Sequence, residues 1–222
     1  MATSGARNTT RQREAGAASR AETRRRLLRA AGEEFSERGY HAATVTRIAG
    51  RAGVTVQTLY LAWGSKRALL RAVMDASLSG DPDTSYADQL PDMLAQALDS
   101  AGDDAQATIE RFARMFRKVA ERAALGWRLY RDASAADAEV AVDWQTLQQL
   151  RRHTCAELIQ RIPAASRRAG VSLDAAVDTT WAIASPETYE LLVTAAGYSL
   201  DAYERWVAQT LCAAVLDERR DQ

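Results

Sequence analysis

Residues 44–66 read TVTRIAGRAGVTVQTLYLAWGSK, and the order of caps, small residues and one turn glycine in this stretch decides the fold. Thr44 is a helix-capping residue in front of a short run whose Ile48, Ala49 and Ala52 share one face. Gly53 supplies a positive φ that a Cβ resists, and Val54 anchors the turn. Thr55 then caps a second run, Val56 to about Ala62, whose Leu59 packs back on the first while Gln57, Thr58 and Tyr60 face outward. Small side chains at Ala49 and Ala52 let the two helices cross closely. A helix-turn-helix whose second helix is exposed at one end fits a DNA major groove.

Outward from this stretch the pattern stays helical. Ser19 and Glu22 have capping-box spacing, and the helix they predict carries Leu27, Leu28, Ala31 and Phe35 on one face and stops at Gly39. Gly32 inside it costs about 1 kcal/mol relative to Ala, so either packing overrides the cost or something approaches closely there. Residues 1–18 are polar and predict a flexible basic arm with Arg7, Arg11 and Arg13. Beyond residue 66 a helix runs to about Ser79, followed by a loop through Gly80, Asp81, Pro82 and Asp83. Apolar stripes recur at Ile109, Phe112, Phe116, Val119 and Ala123, and at Val140, Trp144, Leu147, Thr154 and Leu158. Pro163 and Gly170 break the pattern. Two further stripes follow, Leu173 to Ala184 and Leu200 to Val215, with a short helix introduced by Ser185 and Pro186 between them. With no sustained strand alternation, the fold class is all-α. It divides into an arm (1–18), a helix-turn-helix domain (19–65) and a larger helical domain (66–222).

At 222 residues and 47% hydrophobic, the chain can bury a substantial core. The net charge of zero conceals a division: residues 1–75 hold 14 Lys and Arg against 6 Asp and Glu, and the remainder 15 against 23. Basic surface is thus concentrated where phosphates would be neutralised, although a merely solvated basic face would look the same. No apolar run reaches the length of a membrane span and residues 1–26 lack apolar surface for a targeting helix, so a cytoplasmic, nucleoid-associated protein is expected. Cys155 and Cys212 have no Cys or His at ligand spacing, so no metal site is predicted and idle thiols are. Paired catalytic carboxylates, a nucleophile elbow and a phosphate-binding Gly-Lys-Ser/Thr loop are all missing from the sequence, which argues against an enzyme; no cofactor is expected.

The run Gly39-Tyr40, Thr44 to Ala49, Ala52 to Thr55, Thr58-Leu59-Tyr60, Ser65-Lys66 and Ala68-Leu69-Leu70 resembles the DNA-binding domain of the tetracycline-repressor (TetR) family, over about residues 19–75. The rest is similar to that family in layout only. The resemblance implies a homodimer on a palindromic double-stranded operator, commonly a repressor, released when a small molecule enters the C-terminal domain. An activator, or a partner-dependent interaction protein on the same fold, is the alternative. The chain departs from the family pattern at several positions. Arg47 stands where an acidic residue is common, Glu34 and Gly32 where Leu is, and Gln57 replaces a common Gly. Leu61-Ala62-Trp63 replaces a His or Tyr before Phe; Trp63 still fills the aromatic position, but Leu61 cannot bond a phosphate.

Gln57 can bind adenine through two hydrogen bonds and Thr58 can meet a thymine methyl, phosphate contact or solvation being the competing roles. Arg47 reaches a base, a phosphate or only water. Tyr60 and Lys66 match family positions that hold the DNA backbone, and Thr44 and Thr55 offer hydroxyls to phosphates or serve as caps alone. For the effector, Met115, Phe116, Trp127, Tyr130, Trp144 and His153 are candidate pocket residues, with ordinary core or, for His153, surface as the alternative. The family layout implies a dimer interface on the last long helices at Val177, Trp181, Tyr203, Trp206, Val207, Thr210 and Leu211.

Overall fold

The computed structural model describes residues 3–80, 84, 86–98 and 104–217. Helix α1 spans Thr3–Ala42, α2 Val45–Arg51, α3 Val56–Trp63 and α4 Lys66–Ser79. Then come α5 Tyr86–Leu98, α6 Ala105–Ser134, α7 Ala138–Arg161, α8 Leu173–Ile183, α9 Pro186–Tyr189 and α10 Leu200–Val215. A 3-10 turn at Ala164–Ser166 and a π-helical turn at Glu190–Ala195 complete the list. The described residues contain no strand beyond one antiparallel bridge between Arg167 and Leu216, so the all-α class holds.

α6 is the axis of the molecule. Its thirty residues span about 45 Å at the α-helical rise, and it packs against α1, α4, α5, α7, α9 and α10. Its buried stripe includes Ile109, Phe112, Phe116, Val119, Ala123, Trp127 and Tyr130, extending by two aromatics the stripe read from sequence. Gly126 marks the crossing with α4: a Cβ there would lie 2.8 Å from Met74 Sδ, so any larger residue makes the Met74 side chain shift. Gly32 has no such role. The nearest atom to a Cβ at that position is Val73 Cγ1 at 3.9 Å, an ordinary contact, so packing overrides its low helix propensity.

The N-terminus differs from expectation. No break occurs at Ser19: α1 runs from Thr3, and Ser19 takes part as a carbonyl acceptor for the Thr23 hydroxyl (2.9 Å). Alanines and long unbranched polar residues between Ala6 and Ala21 carry helix propensity that outweighs the missing apolar face. The side chains of Arg7 and Arg11 lie outside the described residues, and Arg13 is exposed. Gly39, with φ of 73°, breaks the end of α1 where a stop was predicted. Gly80 ends α4 in a left-handed conformation, while Asp81, Pro82 and Asp83 lie outside the described residues. Ser172, Ser185 and Ser199 cap α8, α9 and α10, and at α9 Ser185 and Thr188 form a reciprocal capping box.

Candidate nucleic-acid interface

Hydroxyl caps fix both helices of the 44–66 stretch. Thr44 Oγ1 accepts from the Arg47 amide (3.3 Å), with nothing returned from position 47, which fits the missing acidic partner. Thr55 Oγ1 accepts from the Thr58 amide (3.1 Å) and lies 2.9 Å from the Thr58 hydroxyl. The turn between them is closed by Gly53 N–H to Gly50 O (3.0 Å) and Val54 N–H to Ala49 O (2.9 Å). Gly53 has a φ of 65°, and a Cβ there would sit 2.7 Å from Arg26 Nη2. Ile48, Ala49, Ala52 and Leu59 are buried between α2, α3 and α1.

This packing leaves one face of α3 outside. Gln57 is exposed, Tyr60 is 48% and Leu61 82% exposed, and their i, i+3, i+4 spacing puts the three on one surface. Thr58, expected to face out with Gln57, is only half exposed, and its hydroxyl is engaged by Thr55. Lys66 opens α4, where a cation opposes the helix dipole. Its ammonium donates to His41 O (3.5 Å) and lies 4.4 Å from the centre of the Tyr40 ring; partial burial lowers its pKa. That contact sets the start of α4 beside the chain that leads into Thr44.

Two arginines that sequence reading passed over hold the motif from behind. Arg24 donates to Ala62 O and stacks over Trp63 with its guanidinium carbon 3.8 Å from the ring centre, while Arg26 donates to Ala52 O and, at 3.5 Å, to Gly53 O. Each places a cation at the carbonyl end of a short helix, where the dipole favours it. The only sequence signal was the run Arg24-Arg25-Arg26, whose facing cannot be read without the α1 crossing.

The departures at Glu34 and Arg47 meet in space. Glu34, 1% exposed, has Arg38 at 3.3 Å, Arg51 at 3.4 Å and Arg47 at 3.8 Å from its carboxylate oxygens. Arg51 forks onto Glu37 (2.6 and 2.7 Å) and reaches Glu33 (3.3 Å), which raises its pKa and lowers that of Glu37. An acid in α1 thus pairs with bases in α2, and Arg47 is turned partly toward the protein. A second ionic link joins α4 to α7: Arg67 pairs with Asp143 through two hydrogen bonds (2.7 and 2.8 Å) and with Glu139 (2.8 Å).

The remaining candidates are scattered. Phe116 and Trp127 line one cavity, and Trp127 also lines a second with Trp144. Tyr130 lines a separate cavity of about 360 Å³ between α4, α5, α6 and α7. Met115 borders an open groove with Met93. His153 is on the surface, its side chain 68% exposed and 3.8 Å from Glu157, so it lines none of these cavities. Of the residues assigned to a dimer interface, Val177, Tyr203, Val207 and Leu211 are buried inside the single chain and have no surface to offer a partner. The error was one of facing: the apolar stripes of α8 and α10 pack on α7, on α6 and on each other. Trp181, Trp206 and Thr210 stay half exposed, and Leu191 and Tyr198 are exposed. Both cysteines are free, Cys155 buried and Cys212 half buried.

The chain is similar to known proteins in sequence over its N-terminal part and in fold along its length. The family profile for bacterial regulatory proteins of the tetR family matches residues 27–73, from the core of α1 into α4. The "HTH-type transcriptional activator FasR" of Mycolicibacterium smegmatis is 40% identical over 96 residues, 42% of this chain and 40% of that protein. The chain spans less than half the length of the curated relatives it matches. Among solved structures, a TetR transcriptional regulator from Chloroflexus aurantiacus has a TM-score of 0.64 at 20% identity, covering 90% of this chain and 99% of its own. SmeT, solved as a complex with triclosan, has a TM-score of 0.67 at 18% identity, covering 89% of this chain and 93% of its own. No helix among the described residues is long and apolar enough to cross a membrane. Residues 27–73, from α1 into α4, thus carry the profile of the tetR family of bacterial regulatory proteins, and the chain is similar in fold along its length to the solved regulators.

Proposed function

We propose that this protein is a homodimeric repressor that reads a palindromic operator with α3 and leaves it when a small molecule binds the helical domain. The observation that carries the reading is the face of α3: Gln57, Tyr60 and Leu61 are left outside by a motif clamped on its other sides. Gln57 supplies adenine recognition, Leu61 an apolar contact for a thymine methyl, and Tyr60, Lys66, Thr44 and Thr55 hold phosphates. Thr58 serves the cap first, and Arg47, shared with Glu34, adds positive potential. Residues 19–65 form the DNA-binding unit and 66–222 the sensing and dimerising unit, joined through α4.

Release follows from geometry. Two recognition helices enter successive major grooves only when about 34–36 Å apart, so a modest tilt of α4 spoils the fit. The cavity of about 360 Å³ is walled by α4 residues Arg71, Met74, Asp75 and Leu78 and also by Asp143, the partner of Arg67. A ligand there acts on α4 and on its ionic link to α7 together. Its affinity for the two arrangements need differ by only about 1–3 kcal/mol. Trp181, Trp206 and Thr210, with Leu191 and Tyr198, form the dimer face. Activation is the second reading, favoured by the relative described as an activator.

The test is selection of genomic fragments by the purified protein, followed by competition against random DNA. Enrichment of one inverted-repeat sequence supports the reading; retention of fragments without sequence preference rejects it. Transcription from a promoter carrying that sequence then falls for a repressor and rises for an activator.

A further inference from the structure

Arg151 of α7 is 7% exposed, and no carboxylate among the described residues stands within ion-pairing distance of it. Its guanidinium donates to the Gln148 side-chain oxygen, to Ala184 O (2.9 Å) and to Trp181 O (3.4 Å). These neutral acceptors satisfy N–H groups and leave the charge uncancelled. A buried charge without a counterion is costly, and although burial lowers the Arg151 pKa, a guanidinium does not give up its proton. Among its titratable neighbours, burial pushes the Tyr86 hydroxyl and the Cys155 thiol each up to about 12, and the Glu187 carboxylate acts on Arg151 through space without an ion-pair contact.

Arg151 lines a cavity of about 30 Å³ together with Tyr86, Phe112, Phe116 and Trp127. Trp127 is 2% exposed and its indole N–H has no acceptor. The walls thus combine aromatic surface with a buried cation that has no carboxylate in contact with it, and include Trp127, whose N–H has no partner. Leu78 lines this cavity and also the 360 Å³ cavity beside α4, and seating a ring in the smaller cavity requires its walls to move apart. Asp75 and Asp143 line the larger cavity, which repels an acidic head group from that end and favours its seating at Arg151.

We propose that the effector is a small carboxylic acid with an aromatic body, its carboxylate on Arg151 and its ring among Phe112, Phe116 and Trp127. The inference rests on the helical domain being the sensing unit. A carboxylate presents two oxygens to the guanidinium fork and competes with Ala184 O and Trp181 O for it. Its arrival is therefore felt at the C-terminal end of α8, which carries Trp181.

The experiment is calorimetric titration and thermal shift of the full-length protein without DNA. Phenylacetate and 3-phenylpropionate are the probes, and their neutral amides the controls. The acids are expected to bind saturably and raise Tm, with the amides about tenfold weaker or more. Arg151→Met is expected to lower acid affinity by about tenfold or more and leave the amides unchanged, while Arg151→Lys restores part of the difference. Trp127→Phe, which keeps the ring packing, weakens the acids a few-fold and decides the matter should Arg151→Met fail to fold. Equal binding of acids and amides, binding of neither, or acid binding that survives Arg151→Met and Trp127→Phe overturns the proposal. Acid binding that leaves operator occupancy unchanged supports this site and contradicts the release mechanism.

Discussion

Lys66 and Gln57 separate two kinds of DNA contact that single substitutions resolve. Lys66→Ala is expected to weaken binding to every sequence and to lower the slope of log affinity against log salt by about one. Slopes identical to wild type would remove Lys66 from the phosphate contacts. Gln57→Ala is expected to relax preference at one base pair per half-site, about 1–3 kcal/mol of discrimination, with nonspecific affinity unchanged. A binding selection that returns the wild-type consensus would contradict that role. The residues legible in sequence were those whose chemistry is local: Thr44 and Thr55 cap the helices they precede, and Gly53 adopts the positive φ its turn requires. Arg24, Arg26 and the partners of Glu34 were not legible, because their roles depend on which side of α1 meets α2 and α3.

Elements crossing one another explain the glycines, which look alike in sequence and differ in the fold. Gly32→Ala places a methyl in ordinary contact with Val73 and is expected to stabilise by up to about 1 kcal/mol. Gly53→Ala forces a side chain into the left-handed region and against Arg26, and is expected to destabilise by about 1–2 kcal/mol or more. Denaturant unfolding of both variants measures the contrast; equal and opposite signs reversed from these would contradict the crossing geometry. The helices themselves were read well because apolar periodicity and caps are properties of single segments. The start of α1 was missed because propensity, not an apolar face, carries the helix before Ser19. The link between α4 and α7 is a property of the pair. Exchanging its charges, Arg67→Asp with Asp143→Arg, is expected to restore the operator affinity that either single change alters. Non-coupled effects in that double-mutant cycle would show that the link does not set α4.

At the scale of the whole molecule, the buried faces of α8 and α10 leave a narrower dimer surface than their stripes suggested. Tyr203 and Val207 were mistaken for partner contacts because burial in a core and burial in an interface demand the same residue types. Trp206, half exposed and stacked on Tyr203 at 6.4 Å between ring centres, discriminates between them. Trp206→Asp is expected to sediment as a monomer with poor operator affinity, and an unchanged mass would place the interface elsewhere. The dimer, the spacing of its recognition helices and the α3 face combine in one observable. Nucleotide-resolution footprinting of the selected fragment should show two related half-sites on one side of the duplex, centred about 10 base pairs, or a multiple of that, apart. Protection that is continuous, or that does not move with the sequence when the inverted repeat is displaced, would contradict the account.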